Sequence, residues 1–234
     1  MTHSGAKFSL VIPAYNEEKR IQVLFDEIPA FDGELIVVCD GTDSTAECVS
    51  RIADKRKDLS IRCLVFDHKL GKGGGVIEGL KAARTPFVGY FDADGSTSIG
   101  EMQRLFTHLP SSDGAIGSRW VAGSELRVRQ GIMRRMESRA FNLLIRLIFG
   151  LTYNDTQCGA KVFTKTAVEA VLPRMTSKGF EFDVELLWRM RKADFSITEV
   201  PIVWQNTGDS RVQKWDMIRM LTGLFTIRFG LGKV

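Results

Sequence analysis

Two rhythms of apolar and polar positions alternate along the chain. Short unbroken apolar runs at 8–13, 34–39, 61–66, 86–92 and 114–117 predict buried strands. Between them, apolar residues recur at intervals of three and four, as at Ile21, Leu24, Phe25 and Ile28. That spacing predicts helices over 17–28, 44–57 and 99–109, and another running to Ala83 that opens on the glycine-rich turn 71–75. Strands alternating with helices of about ten residues predict an α/β fold with a mainly parallel central sheet and flanking helices. The second half is more helical, with patterns over 131–150, 166–172, 182–193 and 213–229, a short strand at 161–163 and an extended segment at 196–204. Asp183 stands where it could cap the third of these helices. With no internal repeat or low-complexity linker, residues 1–234 read as one domain, comprising a half of 1–120 and a half of 121–234 that share a core.

In open α/β sheets, ligands sit beyond the carboxyl ends of the strands. Three such ends carry polar clusters: Pro13-Ala14-Tyr15-Asn16-Glu17, Asp40-Gly41-Thr42-Asp43 and Asp92-Ala93-Asp94-Gly95. Any one of them could be an ordinary turn, since Asp and Gly are the usual turn formers. All three at one edge of one sheet point to a site. Extended-chain alternation puts the carboxylates of Asp92 and Asp94 on one face, where two hard oxygen ligands suit Mg²⁺ or Mn²⁺ with a diphosphate. The alternative is a solvated acidic turn. It weakens after the buried run 87–91, because uncompensated carboxylates beside apolar residues are costly. The run Gly71-Lys72-Gly73-Gly74-Gly75 could bring backbone N–H groups and an ammonium to an anion, or could simply be a flexible loop. It lacks the spacing of a Walker A loop and of a dinucleotide fingerprint.

The ordered motifs P-A-Y-N-E (13–17), C-D-G-T (39–42), G-K-G-G (71–74), D-A-D-G (92–95), G-S-R-W (117–120), D-T-Q-C-G (155–159) and G-F-E-F-D-V-E-L (179–186) resemble glycosyltransferase family two, with the GT-A fold. They are similar to the branch that loads a hexose onto a polyprenyl or dolichyl phosphate. The resemblance implies that Pro13, Tyr15, Glu17 and Asp40 hold the nucleotide of a nucleotide-sugar donor in the first half, with Lys72 beside them. It implies that Asp92 and Asp94 carry Mg²⁺ or Mn²⁺ and the diphosphate, and that Arg211, in Gly208-Asp209-Ser210-Arg211, closes on that diphosphate. Ser96 stands where some mannose synthases place a third, Gln ligand; Cys39 replaces the first Asp of D-D-G-S. Gln205 stands where mannose synthases tend to have Arg, which with D-T-Q-C-G tilts the reading toward glucose.

The acceptor shapes the mechanism. A phosphate monoester, with a second pKa of about 6, is largely ionised at neutral pH and needs no strong general base. Direct displacement then inverts the anomeric carbon. Arg119, Arg134 and Ser138 are expected at the acceptor phosphate, the last two one helical turn apart; Arg119 could instead be a salt-bridge residue. Asp183 and Glu185 are possible acceptor-side acids. A hydroxyl acceptor would need such a carboxylate, and a non-catalytic nucleotide-sugar module would need none.

Composition adds a partner. The chain carries 32 Lys and Arg against 28 Asp and Glu, a net charge of +4. Between Arg127 and Arg146 there are six arginines and one acid, Glu137. A basic amphipathic helix there, and a second over 213–234, could lie on a membrane surface, pack into the core, or join a homo-oligomer. No stretch is long and apolar enough to span a bilayer. Four cysteines without a C-x-x-C pair, and a polar N-terminus without a signal peptide, predict a cytosolic protein peripheral on the cytosolic membrane face. A nucleic-acid partner is not expected from so small a surplus of charge.

Overall fold

The computed structural model describes residues 7–127, 132–205 and 214–230, without the side chains of 132–138 and 214–218. Among the described residues, nine strands and eight α-helices follow in chain order: β1 (Phe8–Ala14), α1 (Ile21–Glu27), β2 (Glu34–Cys39), α2 (Thr45–Lys55), β3 (Ser60–Val65), α3 (Gly71–Ala82), β4 (Phe87–Tyr90), α4 (Ile99–Phe106), β5 (Gly114–Ser118), β6 (Glu125–Leu126), α5 (Ile132–Phe149), β7 (Lys161–Thr164), α6 (Lys165–Val171), α7 (Phe182–Lys192), β8 (Ile197–Pro201), β9 (Val203–Trp204) and α8 (Lys214–Phe229).

Seven strands form one sheet in the order β3-β2-β1-β4-β7-β5-β8. All neighbours are parallel except β7, which runs antiparallel to both β4 and β5. Strand period alone does not disclose that reversal. The chain enters β7 at the edge where β4 ends, with Lys161 opposite Tyr90, so the strand must run back across the sheet. β6 and β9 make a separate parallel pair.

The unbroken apolar strands are buried on both faces, as parallel strands between helical layers must be. Leu10, Ile12, Leu35 and Val37 point into one core with Ile21, Phe25, Val49 and Met102 of α1, α2 and α4. Val11, Ile36 and Val38 point into the other, with Val76, Leu80, Val168, Leu187 and Leu224 of α3, α6, α7 and α8. All four cysteines are free thiols.

The glycine-rich run is mostly helix rather than a loop. Gly71 (φ +77°) turns the chain into α3, and Gly73, Gly74 and Gly75 are helical and buried. Helical glycine costs roughly 0.5–1 kcal/mol relative to Ala, and here it permits close approach. A Cβ at Gly73 would lie 2.5 Å from Phe182 Cβ, and one at Gly79 only 2.2 Å from Val11 Cγ1.

Helices α5 and α8 meet at one end, where Arg228 Nε donates to the Ile148 carbonyl at 3.0 Å. On α5, Asn142, Ile145 and Phe149 face inward while Leu143 and Leu147 are exposed. In α8 the apolar positions spread around the helix: Met220 and Leu224 are buried, Phe225 and Phe229 exposed. Among the described residues no helix is long and apolar enough to cross a membrane.

Candidate active site

The carboxyl ends of β2, β1 and β4 lie side by side, so the three polar clusters stand along one edge. The strand order reverses between β1 and β4, the place where open α/β sheets leave a crevice. The first two clusters are stitched together. Asn16 is left-handed (φ 55°), and its Oδ1 accepts from the N–H of Thr42 at 2.8 Å. Gly41 is needed there, because a Cβ would fall 2.2 Å from Asn16 Oδ1. The Glu17 N–H donates to Thr45 Oγ1 at 2.8 Å, and the Glu17 carboxylate takes two hydrogen bonds from Arg20.

Asp40 is buried, and its Oδ2 accepts from the N–H groups of Leu70 (2.8 Å) and Gly71 (3.2 Å). It thus closes the start of α3 from outside the helix, and a carboxylate at that end also suits the helix dipole. Within the glycine run, Asp40 thus takes the Gly71 amide, and the Gly74 amide goes to the Lys178 carbonyl at 3.2 Å. Tyr15 is half exposed, with Lys69 Nζ 4.0 Å from its ring centroid. Pro13, still within β1, packs towards α3, its Cβ 3.5 Å from where a Gly75 Cβ would be.

Lys72 extends from the first turn of α3 to Asp92 at the end of β4, Nζ to Oδ1 2.7 Å. Burial disfavours the ammonium, but Asp92, Asp183 and Asp94 outweigh it and hold the Lys72 pKa above its ordinary value. Gly159 presses on the other side of Asp92: a Cβ there would lie 2.1 Å from Oδ2. Phe91 and Ala93 are buried while Asp92 and Asp94 remain partly accessible. Asp94 Oδ1 accepts the Ser96 N–H at 2.9 Å across the turn at Gly95 (φ +72°). Gln205 N–H donates to the Ser96 carbonyl at 3.0 Å, which ties this turn to the chain beyond β9.

Beneath Asp92 lies a polar network that sequence reasoning missed. Lys161, fully buried, donates to Asp183 Oδ1 at 2.5 Å and to the Cys158 carbonyl. The Tyr90 hydroxyl donates to the same Asp183 oxygen at 2.5 Å. Burial and the Asp183 charge push the Tyr90 pKa well up, so its proton stays in place. The available signal was a lysine opening an otherwise apolar strand, Lys161-Val162-Phe163, which needs a buried counter-charge.

The expected acceptor-side groups are distributed unevenly. Arg119 makes a fork with Asp155, Nε to Oδ2 2.7 Å and Nη2 to Oδ1 2.9 Å. Its guanidinium lies 5.8 and 5.5 Å from the rings of Trp120 and Trp204. Burial opposes its charge, but Asp155 outweighs that and raises its pKa. Asp183 caps no helix; Glu181 holds the cap position of α7 and Asp183 is committed to Lys161 and Tyr90. Glu185 accepts from Thr176, Ser177 and Arg189. Burial raises its pKa, but these donors more than reverse that, leaving it below the ordinary value. The side chains of Arg134 and Ser138, and all of Arg211, lie outside the described residues.

Among the described residues no group of three or more His, Cys, Asp or Glu gathers as a metal cage. The acids at the end of β4 amount to Asp92 and Asp94, an all-oxygen donor set. That fits Mg²⁺ or Mn²⁺, which characteristically take one or two carboxylates and complete their shell with phosphate oxygens and water.

The chain is 33% identical to a dolichyl-phosphate beta-glucosyltransferase, ALG5C, of Trichomonas vaginalis, over 94% of this chain and 70% of that protein. It is 30% identical to the dolichyl-phosphate beta-glucosyltransferase of Homo sapiens, over 95% of this chain and 75% of that one. It is also 34% identical to glycosyltransferase AglD of Haloferax volcanii, covering 95% of this chain but spanning only 36% of AglD. Among solved structures, glucosyl-3-phosphoglycerate synthase of Mycobacterium tuberculosis, in complex with Mn²⁺, UDP and glucosyl-3-phosphoglycerate, superposes with a TM-score of 0.69 at 20% identity, covering 97% of this chain and 81% of that one. That likeness extends to the fold, a GT-A-like α/β sheet. Residues 9–172 match the model of Glycosyl transferase family 2, and with that match the acids at the sheet edge acquire a context: the chain belongs to glycosyl transferase family 2.

Proposed function

We propose that this chain moves a hexose, in first instance glucose from UDP-glucose, to the phosphate of a polyprenyl or dolichyl phosphate at a membrane surface. The relatives' names support this choice of donor sugar and acceptor. The observation that carries the mechanism is the occupation of the acceptor-side acids. Asp183 is bound to Lys161 and Tyr90, and Glu185 to five donor groups of Thr176, Ser177 and Arg189, so neither is free to take a proton from an alcohol. A phosphate acceptor makes no such demand, because it arrives ionised.

In this reading Tyr15 offers an open ring on which the base stacks, and Asp40 and Glu17 frame the nucleotide end. Asp92 and Asp94 would hold Mg²⁺ or Mn²⁺; when bound, the ion neutralises charge on the leaving diphosphate. Lys72 supplies a fixed ammonium beside Asp92 for the same charge, and the absence of a side chain at Gly159 makes room for the Asp92 carboxylate. Arg119, held by Asp155 and beside two indoles, offers its charge to the acceptor phosphate in this reading, with Arg134 and Ser138 assigned to the same phosphate. Arg211 closes over the diphosphate. Two anions held in line require positioning rather than proton abstraction, and the displacement inverts the anomeric carbon.

The test is direct. The protein is incubated with labelled UDP-glucose or GDP-mannose, Mg²⁺ or Mn²⁺ and a polyprenyl phosphate, then extracted into organic solvent. Label in the organic phase from UDP-glucose, lost in Asp92→Asn and on chelation, is the expected result. No label from either donor overturns the reading. Asp183→Asn, scored per folded molecule, is expected to retain turnover; loss of most turnover would favour a hydroxyl acceptor. Flotation with anionic liposomes at low salt tests the membrane surface.

A further inference from the structure

A cavity of about 320 Å³ opens beside α5, lined by Trp120, Arg139, Ala140, Asn142, Leu143, Arg146 and Asn154. Its described lining holds two guanidiniums and no carboxylate. Arg139, Asn142 and Arg146 are three and four residues apart on α5, so they rise along one stripe of the helix. Among the described residues no acid pairs with either arginine. Glu199, bonded to the cavity-lining Asn154, is taken up by the backbone N–H groups of Asn154 and Asp155 and by Asn154 Nδ2.

Asn142 supplies the second observation. It is 4% exposed, and its Oδ1 accepts from the Thr156 N–H and hydroxyl at 3.3 and 3.0 Å, which fixes the amide. Its Nδ2 is buried with no hydrogen-bond partner among the described residues. A buried donor left unmade costs about 1–3 kcal/mol, so a group that accepts from it is strongly favoured there. On the outer side, Leu143 and Leu147 are 57% and 75% exposed, on the same helix as the two arginines. Phe225 and Phe229 of α8 are exposed as well. An oxyanion inside and hydrocarbon outside is the chemistry of a lipid headgroup.

We propose that this cavity binds the phosphate of an anionic phospholipid, distinct from the acceptor phosphate, and so seats α5 on the membrane. Arg139 and Arg146 grip the phosphate, Asn142 Nδ2 donates the third hydrogen bond, and Leu143 and Leu147 enter the acyl region. The proposal rests on the reading that the chain works at a lipid surface, but its test does not use turnover.

The probe is monomeric dihexanoyl phosphatidylglycerol, followed by saturation-transfer NMR on the full chain, with inorganic phosphate in a parallel titration. The expected result is binding of the phospholipid that Arg139→Gln and Arg146→Gln each abolish and that Arg51→Gln, an exposed change of equal charge on α2, leaves alone. On vesicles of phosphatidylcholine doped with phosphatidylglycerol, each cavity variant should lower the partition coefficient about fivefold. Asn142→Asp keeps the oxygen for Thr156 but adds a negative charge, and should abolish binding; the two arginine variants, on the exposed side, carry the test if that change unfolds the chain. Equal binding of inorganic phosphate, with the phospholipid adding nothing, overturns the lipid assignment. So does binding indifferent to Arg139 and Arg146, or no binding. If no vesicle of any composition recruits the wild-type chain, the membrane reading itself fails; if vesicles recruit it but the cavity variants behave like Arg51→Gln, only this site fails.

Discussion

Lys161→Met isolates the buried network under the active site. The substitution keeps most of the volume of the side chain and removes its charge. It deletes the ammonium that donates to Asp183 Oδ1 and to the Cys158 carbonyl. Both side chains of the ion pair are inaccessible, so no water replaces the lost partner. Asp183 is then left with the Tyr90 hydroxyl and the attraction of Lys72, and has lost the cation it contacts within the core. Breaking a buried pair from one side costs about 3–5 kcal/mol. For a chain of this size each kcal/mol moves the midpoint by roughly 2–4 °C, so the thermal transition should fall by roughly 6–20 °C. Urea unfolding followed by circular dichroism measures the same loss. The double variant Lys161→Met with Asp183→Asn removes the stranded charge while keeping a hydrogen-bond acceptor for Tyr90, and should recover about 1–3 kcal/mol of it. A single-variant loss under about 1 kcal/mol, or a double variant whose costs simply add, would refute the account of a desolvated, mutually dependent pair.

Other outcomes follow from particular contacts. Gly159→Ala places a methyl 2.1 Å from Asp92 Oδ2, so the carboxylate must shift; hexosyl transfer should drop about a hundredfold with little change in unfolding midpoint, and unaltered kinetics would contradict the packing. Gly79→Ala drives a Cβ to 2.2 Å from Val11 between α3 and β1, and should cost about 1–3 kcal/mol in chemical denaturation. The Glu185 pKa is depressed in the folded state, so its contribution is present above the unfolded value and is lost as pH falls through the folded one. Stability measured from neutral pH downwards should therefore fall below about pH 4.5, and Glu185→Gln should flatten that fall; parallel curves would show that another acid is responsible.

Much of the sheet was legible because a strand buried on both faces has little choice of composition. The runs at 8–13, 34–39 and 86–92 are apolar for that reason, and helical spacing is as plain at Ile21, Leu24 and Phe25. The acids at the three strand ends were legible too, since alternation and turn chemistry act over a few residues. The glycine run was misread as a turn. Local propensity disfavours helical glycine, and only the close approach of Phe182 to Gly73, far away in sequence, reverses that preference.

The sequence by itself determined the alternating layers, the edge on which the acids stand and the family motifs. The tertiary structure decided what each charge is for. It turned Asp40 towards the amides of α3, Lys72 towards Asp92, Arg119 towards Asp155, and Lys161 with Tyr90 towards Asp183. Lys161 and Asp183 are 22 residues apart, Asp40 and Leu70 are 30, Arg119 and Asp155 are 36, and Tyr90 and Asp183 are 93. A charge's role depends on which opposite charge shares its low-dielectric surroundings, and that neighbour is supplied by strand order, including the reversed β7, rather than by any local pattern.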